Sequence, residues 1–379
     1  MTLTPPRAGW LAACATLLAA LAACGGGSDG DQTPAVTYSR LVAFGDSLSD
    51  VGSYATPGVL ASGGGRYTVN SPTARNWVEQ LAAQAGVAAP CAAVTGLEAS
   101  ATLAGLAGPI AEHPDCTGYA QGGARVTDPI GPANKALLLL TPPNTDGALG
   151  QLTYPLVRQV QMHLDRSGDR FAADELVTVL AGGNDLFMQV AILQATVQAA
   201  AAGGATPAEI QQATATAAQA AGAAMAGAGQ ELALLIRNQI VAKGARRVVV
   251  VNLPDVSLTP YALEAEQSAP GSQALVRGLV QAFNGAVAAG TTGLDGVLMV
   301  DAYTQSQDQA VNPAPYGLTN VTQASCLSAV PTALLCNTAT VVAGDVSHYL
   351  YADDVHPTPF GYQLLARFVA LQMVKAGWL

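Results

Sequence analysis

Residues 40–50 read RLVAFGDSLSD. The first five form a short apolar run, and Gly45-Asp46-Ser47 closes it. That is the pattern of a buried strand that stops at a polar turn. The same pattern recurs at 175–181 (ELVTVLA), which ends in Gly182-Gly183-Asn184-Asp185, at 245–253 (ARRVVVVNL), which ends at Pro254, and at 296–301 (GVLMVD). Helical stretches are predicted between and after these strands. They cover 72–86, beginning at Pro72, then 154–167, 206–242, 273–289 and a last helix from about Pro359 to Lys375. The Ala-rich stretch 206–242 is predicted as two helices broken near Gly227-Ala228-Gly229, a packing pair rather than a lid. Residues 87–150 read as loop-rich and 303–352 as irregular. Strands alternating with helices predict an α/β fold: a three-layer α/β/α sandwich around a doubly wound, mainly parallel sheet. In such a sheet ligands bind outside the carboxyl ends of the strands. Ser47 and Asn184 both stand at such ends.

Composition narrows the function classes. The chain has 379 residues, of which 50% are apolar and 11% charged. The charged fraction is well under the quarter of an average soluble protein. Low charge with ample apolar material excludes a disordered chain. One stretch alone suits a bilayer, at the extreme N-terminus, which excludes a polytopic membrane protein. The net charge is −10, and Lys135, Lys243 and Lys375 are the lysines. With no basic patch or stripe, nucleic acid is not expected as a partner.

Four segments carry chemistry: Gly45-Asp46-Ser47-Leu48-Ser49-Asp50, Gly118-Tyr119-Ala120-Gln121-Gly122-Gly123-Ala124, Gly182-Gly183-Asn184-Asp185 and Asp353-Asp354-Val355-His356-Pro357. Their order and spacing resemble the four signature blocks of the GDSL, or SGNH, hydrolases, over residues 40–375. The resemblance implies a flavodoxin-like SGNH hydrolase fold and a set of roles. A serine hydroxyl needs a base to become a nucleophile, and His356 is that base for Ser47. An imidazole needs a group that fixes its tautomer and stabilises its charged form; Asp353, three residues earlier, is that group. The tetrahedral intermediate needs donors aimed at its oxyanion. By resemblance these are the Ser47 N–H, the Gly123 N–H and the Asn184 amide. The family often has Asn where this chain has Gly118, which puts the outer hydrogen bonding of that block in question.

Each assignment has a plainer rival. Ser47 suits a helix N-cap, Asn184 a plain turn residue, Gly122 competes with Gly123, and Asp354 with Asp353. Of the other histidines, His113 and His163 read as structural or solvated. His348 is the decoy, because Asp345-Val346-Ser347-His348 is also Asp-x-x-His; Pro357 and the helix behind it favour His356. Gly26-Gly27-Ser28-Asp29-Gly30 matches the nucleophile elbow of α/β-hydrolases but lacks the flanking strand and helix. No P-loop or metal-ligand spacing is present, so no cofactor and no metal is expected.

The N-terminus reads as an export signal. Arg7 precedes an apolar run, 8–23, too short for a comfortable transmembrane span. Leu21-Ala22-Ala23-Cys24 resembles a bacterial lipobox, which implies a lipid on the Cys24 sulfur and cleavage before it. An ordinary cleaved signal with an incidental cysteine is the rival. Gly25, in place of Asp, disfavours inner-membrane retention by resemblance to bacterial lipoproteins. The division is then a signal peptide at 1–23, a flexible tether at 24–38 and a hydrolase domain at 39–379. It places the protein in the cell envelope, anchored to the outer membrane, with a periplasmic or secreted location as alternative. With Cys24 acylated and Cys14 removed, Cys91, Cys116, Cys326 and Cys336 remain. Four cysteines allow three connectivities; sequence proximity favours Cys91–Cys116 and Cys326–Cys336.

The expected activity is serine-dependent cleavage of a carboxylic ester, in a small molecule or lipid, through an acyl-Ser47 intermediate. A carbohydrate O-acyl esterase and a non-catalytic lipid- or glycan-binding lipoprotein are the alternatives. Tyr54, Tyr67, Tyr154, Tyr316 and Tyr349 are expected near the rim of the pocket. The chain's end soon after the last helix leads us to expect no C-terminal autotransporter barrel of the kind some family members carry.

Overall fold

In the computed structural model, which describes residues 36–379, the opening run is strand β1 (Arg40–Gly45). Its side chains alternate across the sheet, as strand geometry requires. Leu41 and Ala43 belong to one core, Val42 and Phe44 to another, and all four are buried. A strand buried on both faces needs a layer on each side. The chain continues through α1 (Pro57–Ala61), α2 (Trp77–Gln84), the antiparallel pair β2 (Val94–Leu97) and β3 (Gly108–Glu112), and α3 (Leu156–Ser167). Next come β4 (Glu175–Leu180), α4 (Gly183–Ala202), α5 (Pro207–Leu235) and β5 (Val248–Val251). Then follow α6 (Pro260–Ser268), α7 (Ser272–Thr291), β6 (Val297–Val300), α8 (Ala302–Val311), β7 (Asn320–Ala324), β8 (Tyr349–Tyr351) and α9 (Pro359–Lys375).

The central sheet is parallel, in the order β1-β4-β5-β6. Residues 117–119 add a rudimentary edge beside β1. The Ala43 N–H donates to the Thr117 carbonyl at 3.0 Å, and the Tyr119 N–H to the Ala43 carbonyl at 2.8 Å. From β1 the chain therefore moves first to one side and later, through β4, to the other. That reversal puts a topological switch point at the carboxyl end of β1, where crevices open in doubly wound sheets. Ser47 stands two residues beyond that end.

One face of the sheet packs on α3, α4, α5 and α7 through Leu156, Leu186, Leu232 and Phe283. The other packs on α2 and α9 through Trp77, Leu81, Tyr362 and Val369. This is the three-layer α/β/α sandwich with a parallel sheet that the sequence predicted. Both disulfides pair as sequence proximity suggested, Cys91 with Cys116 and Cys326 with Cys336.

Several elements differ from expectation. The helix predicted from Pro72 begins at Trp77, because Asn76 caps it. The Asn76 Oδ1 accepts the Glu79 N–H at 3.1 Å, and the Glu79 carboxylate accepts the Asn76 N–H at 3.0 Å. Such a capping box fixes a helix start more firmly than a preceding proline does. The expected break at Gly227-Ala228-Gly229 is absent: α5 runs unbroken to Leu235 and then widens into a π-turn, Ile236–Val241. Gly229 serves close packing instead, since a Cβ there would stand 2.5 Å from the Phe283 carbonyl of α7. The region 303–352 is not wholly irregular, for it holds most of α8 and all of β7 and β8. The signal at 1–23, Cys24, the Gly26–Gly30 motif and most of the tether at 24–38 lie outside the described residues.

Candidate active site

β1 ends at Gly45, and the chain turns at once. Gln159 of α3 grips this end from both sides: its Oε1 accepts the Gly45 N–H at 2.9 Å and its Nε2 donates to the Gly45 carbonyl at 2.8 Å. Residues 47–49 form a turn with no helix after it, so Ser47 is not an N-cap. The Asp46 carboxylate accepts the Leu48 N–H at 3.1 Å and helps close this turn. Burial pushes Asp46 up to about 7, against the pull of the Leu48 N–H and of His356. Asp46 is a site residue that sequence reasoning missed. Its position in the GDS triplet was visible, its burial was not.

The turn between β8 and α9 delivers the partner of Ser47. The Ser47 Oγ lies 2.8 Å from the His356 Nε2, although the two are 309 residues apart. The His356 Nδ1 is 2.8 and 2.9 Å from the two Asp353 oxygens. Asp353 also accepts backbone N–H groups from Val355 at 3.0 Å, His356 at 2.8 Å and Ala333 at 2.8 Å. Ala333 lies in the loop that the Cys326–Cys336 disulfide closes. Burial alone would raise the Asp353 pKa; the His356 charge and these hydrogen bonds outweigh it and hold the carboxyl at about 2. For His356, burial works against the imidazolium, and the Asp353 charge and hydrogen bond more than offset it. The His356 pKa is therefore raised above its ordinary value. The Tyr67 ring lies against the imidazole, with centroids 4.8 Å apart.

The glycine loop approaches from the edge beside β1. The Gly122 N–H is committed to the Asp50 Oδ2 at 2.9 Å. The Gly123 N–H and the Ser47 N–H donate to no protein group among the described residues. Gly123 has φ +76°, and a Cβ there would stand 2.5 Å from the Pro132 carbonyl, so both conformation and space call for glycine. The Tyr54 hydroxyl pins the loop by donating to the Gly122 carbonyl at 2.7 Å. Asn184 sits in the first turn of α4, not in a plain turn. Its Nδ2 donates one hydrogen to the Ala124 carbonyl at 2.8 Å, and the amide has a second to give. Asp185 beside it binds the Arg125 Nε at 3.0 Å and the Val126 N–H at 3.1 Å, tying the start of α4 to the chain just past Gly123.

The rival residues lie elsewhere. The His348 Nδ1 is bonded to the Gly317 carbonyl at 2.7 Å and its ring stacks on Phe360. His113 bonds Thr95, and His163 is buried against Phe171 and Glu175. The Asp354 side chain is exposed and makes no hydrogen bond to His356. The tyrosine expectation needs correcting. Tyr54 and Tyr67 are buried and hold the framework, Tyr154 carries the Arg158 guanidinium over its ring, and Tyr316 bonds Asp308. None of the five lines the crevice that opens at Ser47; Phe187 and Tyr351 do.

A family described as "GDSL-like Lipase/Acylhydrolase" matches residues 41–369. The chain belongs to the GDSL-like lipase/acylhydrolase family. Two GDSL esterase/lipases of Arabidopsis thaliana are also similar to it. One is 26% identical over 133 residues, which is 32% of this chain and 37% of the relative. The other is 30% identical over 155 residues, 34% of this chain and 39% of the relative. The chain thus spans less than two-fifths of the length of these curated relatives. GDSL esterases and lipases are carboxylic ester hydrolases, and the α/β sandwich with its parallel sheet is the architecture expected of a GDSL member.

Proposed function

We propose that this GDSL family member is a serine-dependent carboxylic ester hydrolase that works through an acyl-Ser47 intermediate. One observation carries the reading: the unbroken hydrogen-bonded line from the Ser47 Oγ through His356 to Asp353. In the first half-reaction the His356 Nε2 takes the Ser47 proton as the Oγ attacks the ester carbonyl carbon. Asp353, ionised throughout, holds the Nδ1 proton and stabilises the imidazolium. The carbonyl oxygen becomes an oxyanion, for which the Ser47 N–H, the Gly123 N–H and the second Asn184 amide hydrogen are the available donors. His356 then protonates the leaving alcohol. In the second half-reaction water, deprotonated by His356, attacks the acyl-serine and releases the acid. No described contact commits these three donors elsewhere, which supports giving Gly123, rather than Gly122, the oxyanion role.

Asn184→Ala tests the oxyanion part. It is expected to lower kcat on p-nitrophenyl esters by roughly 10²- to 10³-fold, with KM little changed, as for loss of one such donor. A variant with kcat within about threefold of wild type contradicts the assignment, since one donor is worth far more than that.

We further propose that the protein is exported and held to a bacterial membrane by a lipid on Cys24. The lipobox-like Leu21-Ala22-Ala23-Cys24 and two disulfides in the domain support this. In a cell fractionation, Cys24→Ser is expected to move the protein from the membrane pellet to the soluble fraction. Membrane retention by that variant contradicts the anchor.

A further inference from the structure

A crevice opens beside Ser47 at the carboxyl end of the sheet, the place where ligands bind in doubly wound folds. Phe187, Leu253, Val256, Leu350 and Leu365 line it, and side chains of this kind suit a hydrocarbon. Polar side chains line it as well, Thr259, Gln305, Ser306, Gln309 and Tyr351 beside the Ser47 groups. Gln309 on α8 and Tyr351 at the end of β8 are each only 7% exposed. Neither the Gln309 amide nor the Tyr351 hydroxyl hydrogen-bonds to any protein group among the described residues. Their polar atoms are not sealed from solvent, so an occupant that dries them must replace the hydrogen bonds of the water it displaces.

The contrast with their neighbours is direct. The Ser306 Oγ, on the same stripe of α8, donates to the Tyr303 carbonyl and accepts the Asp255 N–H, both at 2.8 Å. The Gln307 amide donates to the Asp255 carboxylate at 2.8 Å. Ser306 and Thr259, which line the crevice, are thus paired within the protein, whereas Gln309 and Tyr351, more buried than the neighbouring Gln305, keep a free amide and a free hydroxyl. A plain alkyl chain would take water from both and return nothing.

We propose that this crevice takes a substrate chain bearing its own hydrogen-bonding oxygen, a hydroxyl, ether or second ester oxygen, which pairs with Gln309 and Tyr351. That the occupant is a substrate rests on the ester-hydrolase reading. The oxygen can stand in the acyl part or in the alcohol part, and the test separates the two.

The test measures kcat/KM for matched esters that differ only by an oxygen. One arm compares p-nitrophenyl hexanoate with its 3-hydroxy derivative and its 4-oxa and 5-oxa analogues. The other compares butanoates of straight alkanols with those of alkoxyalkanols of equal length. On one arm the oxygenated member is expected to be preferred by roughly 10-fold or more, because a site built to bond an oxygen discriminates against the analogue that lacks it. Gln309→Leu and Tyr351→Phe are each expected to cut that ratio at least about threefold, and the double variant to bring it to or below one. A wild-type ratio at or below one on both arms, or a ratio unchanged in the double variant, overturns the proposal and leaves water as the occupant. Calorimetry on Ser47→Ala, with the methyl esters of hexanoic acid and of its oxygenated analogues and with the matched butanoates, reads the crevice without turnover. Tighter binding of the oxygenated partner, together with a wild-type protein that hydrolyses no ester of either arm, would keep this proposal and remove the hydrolase reading. Equal binding would remove the proposal alone.

Discussion

Ser47→Ala is expected to lower kcat/KM for any ester substrate by on the order of 10⁴- to 10⁶-fold while the protein stays folded. The size follows from what the hydroxyl does. Its Oγ has one hydrogen-bond partner, the His356 Nε2, and supplies no structural bond to the turn at 47–49. Removing it leaves the oxyanion donors and the crevice intact but removes the atom that would bond to carbon. Substitutions of this kind usually change stability by no more than about 0.5 kcal/mol, so the thermal midpoint is expected to stay within about 2 °C of wild type. Groups that act as one unit are not additive. The double variant with His356→Ala is therefore expected to be about as slow as either single variant. Initial rates on p-nitrophenyl butanoate check both statements. A Ser47→Ala enzyme retaining a tenth of wild-type activity sinks the nucleophile assignment.

Asp353→Asn is expected to be the next most damaging change, at roughly 10³- to 10⁴-fold in kcat. The amide can present its N–H₂ to the Nδ1 and so favour the wrong imidazole tautomer. It also removes the charge that raises the His356 pKa. The pH dependence gives the sign. His356 must be neutral to accept the Ser47 proton, so activity is present above its pKa and is lost as pH falls through it. Because that pKa is raised, the wild-type acid limb is expected above about 6.5, the ordinary histidine value. In Asp353→Asn burial remains without the compensating carboxylate, so the residual activity should show its midpoint at lower pH. Profiles of kcat/KM against pH for both proteins check this. An unmoved midpoint contradicts the assigned partner. Asp353 also gathers three backbone N–H groups, so a thermal melt is needed to separate lost chemistry from a loosened turn.

Much of this was legible in the sequence because it depends on local pattern. A continuous apolar run such as 40–44 can be buried on both faces, and a polar turn after it marks a strand end. The last helix was predicted at its observed bounds, since Thr358 caps it, Pro359 opens it and apolar positions recur to Lys375. What depends on distant packing was not legible. Gly227 and Gly229 look like helix breakers, yet Gly229 lets α7 approach α5. Tyr54 and Tyr67 look like rim residues in loops, yet their hydroxyls pin the glycine loop and Gln151 from inside. The crevice draws its lining from Asp46 to Leu365, a grouping that only the folded sheet creates. Asp185 was quoted as part of a block, but its grip on Arg125 and Val126 appears only once α4 meets the loop after Gly123.

The proposed mechanism stands or falls on Ser47 as the nucleophile. The most direct measurement treats the purified protein with a p-nitrophenyl alkylphosphonate, which reacts with activated serines and releases nitrophenol, and then maps the adduct by peptide mass spectrometry. The account predicts one phosphonyl group per chain, on the peptide carrying Ser47, with activity lost in proportion to labelling. It also predicts no adduct on His356→Ala over the same time. An adduct on a different residue, or full activity in a chain fully labelled at Ser47, would contradict it.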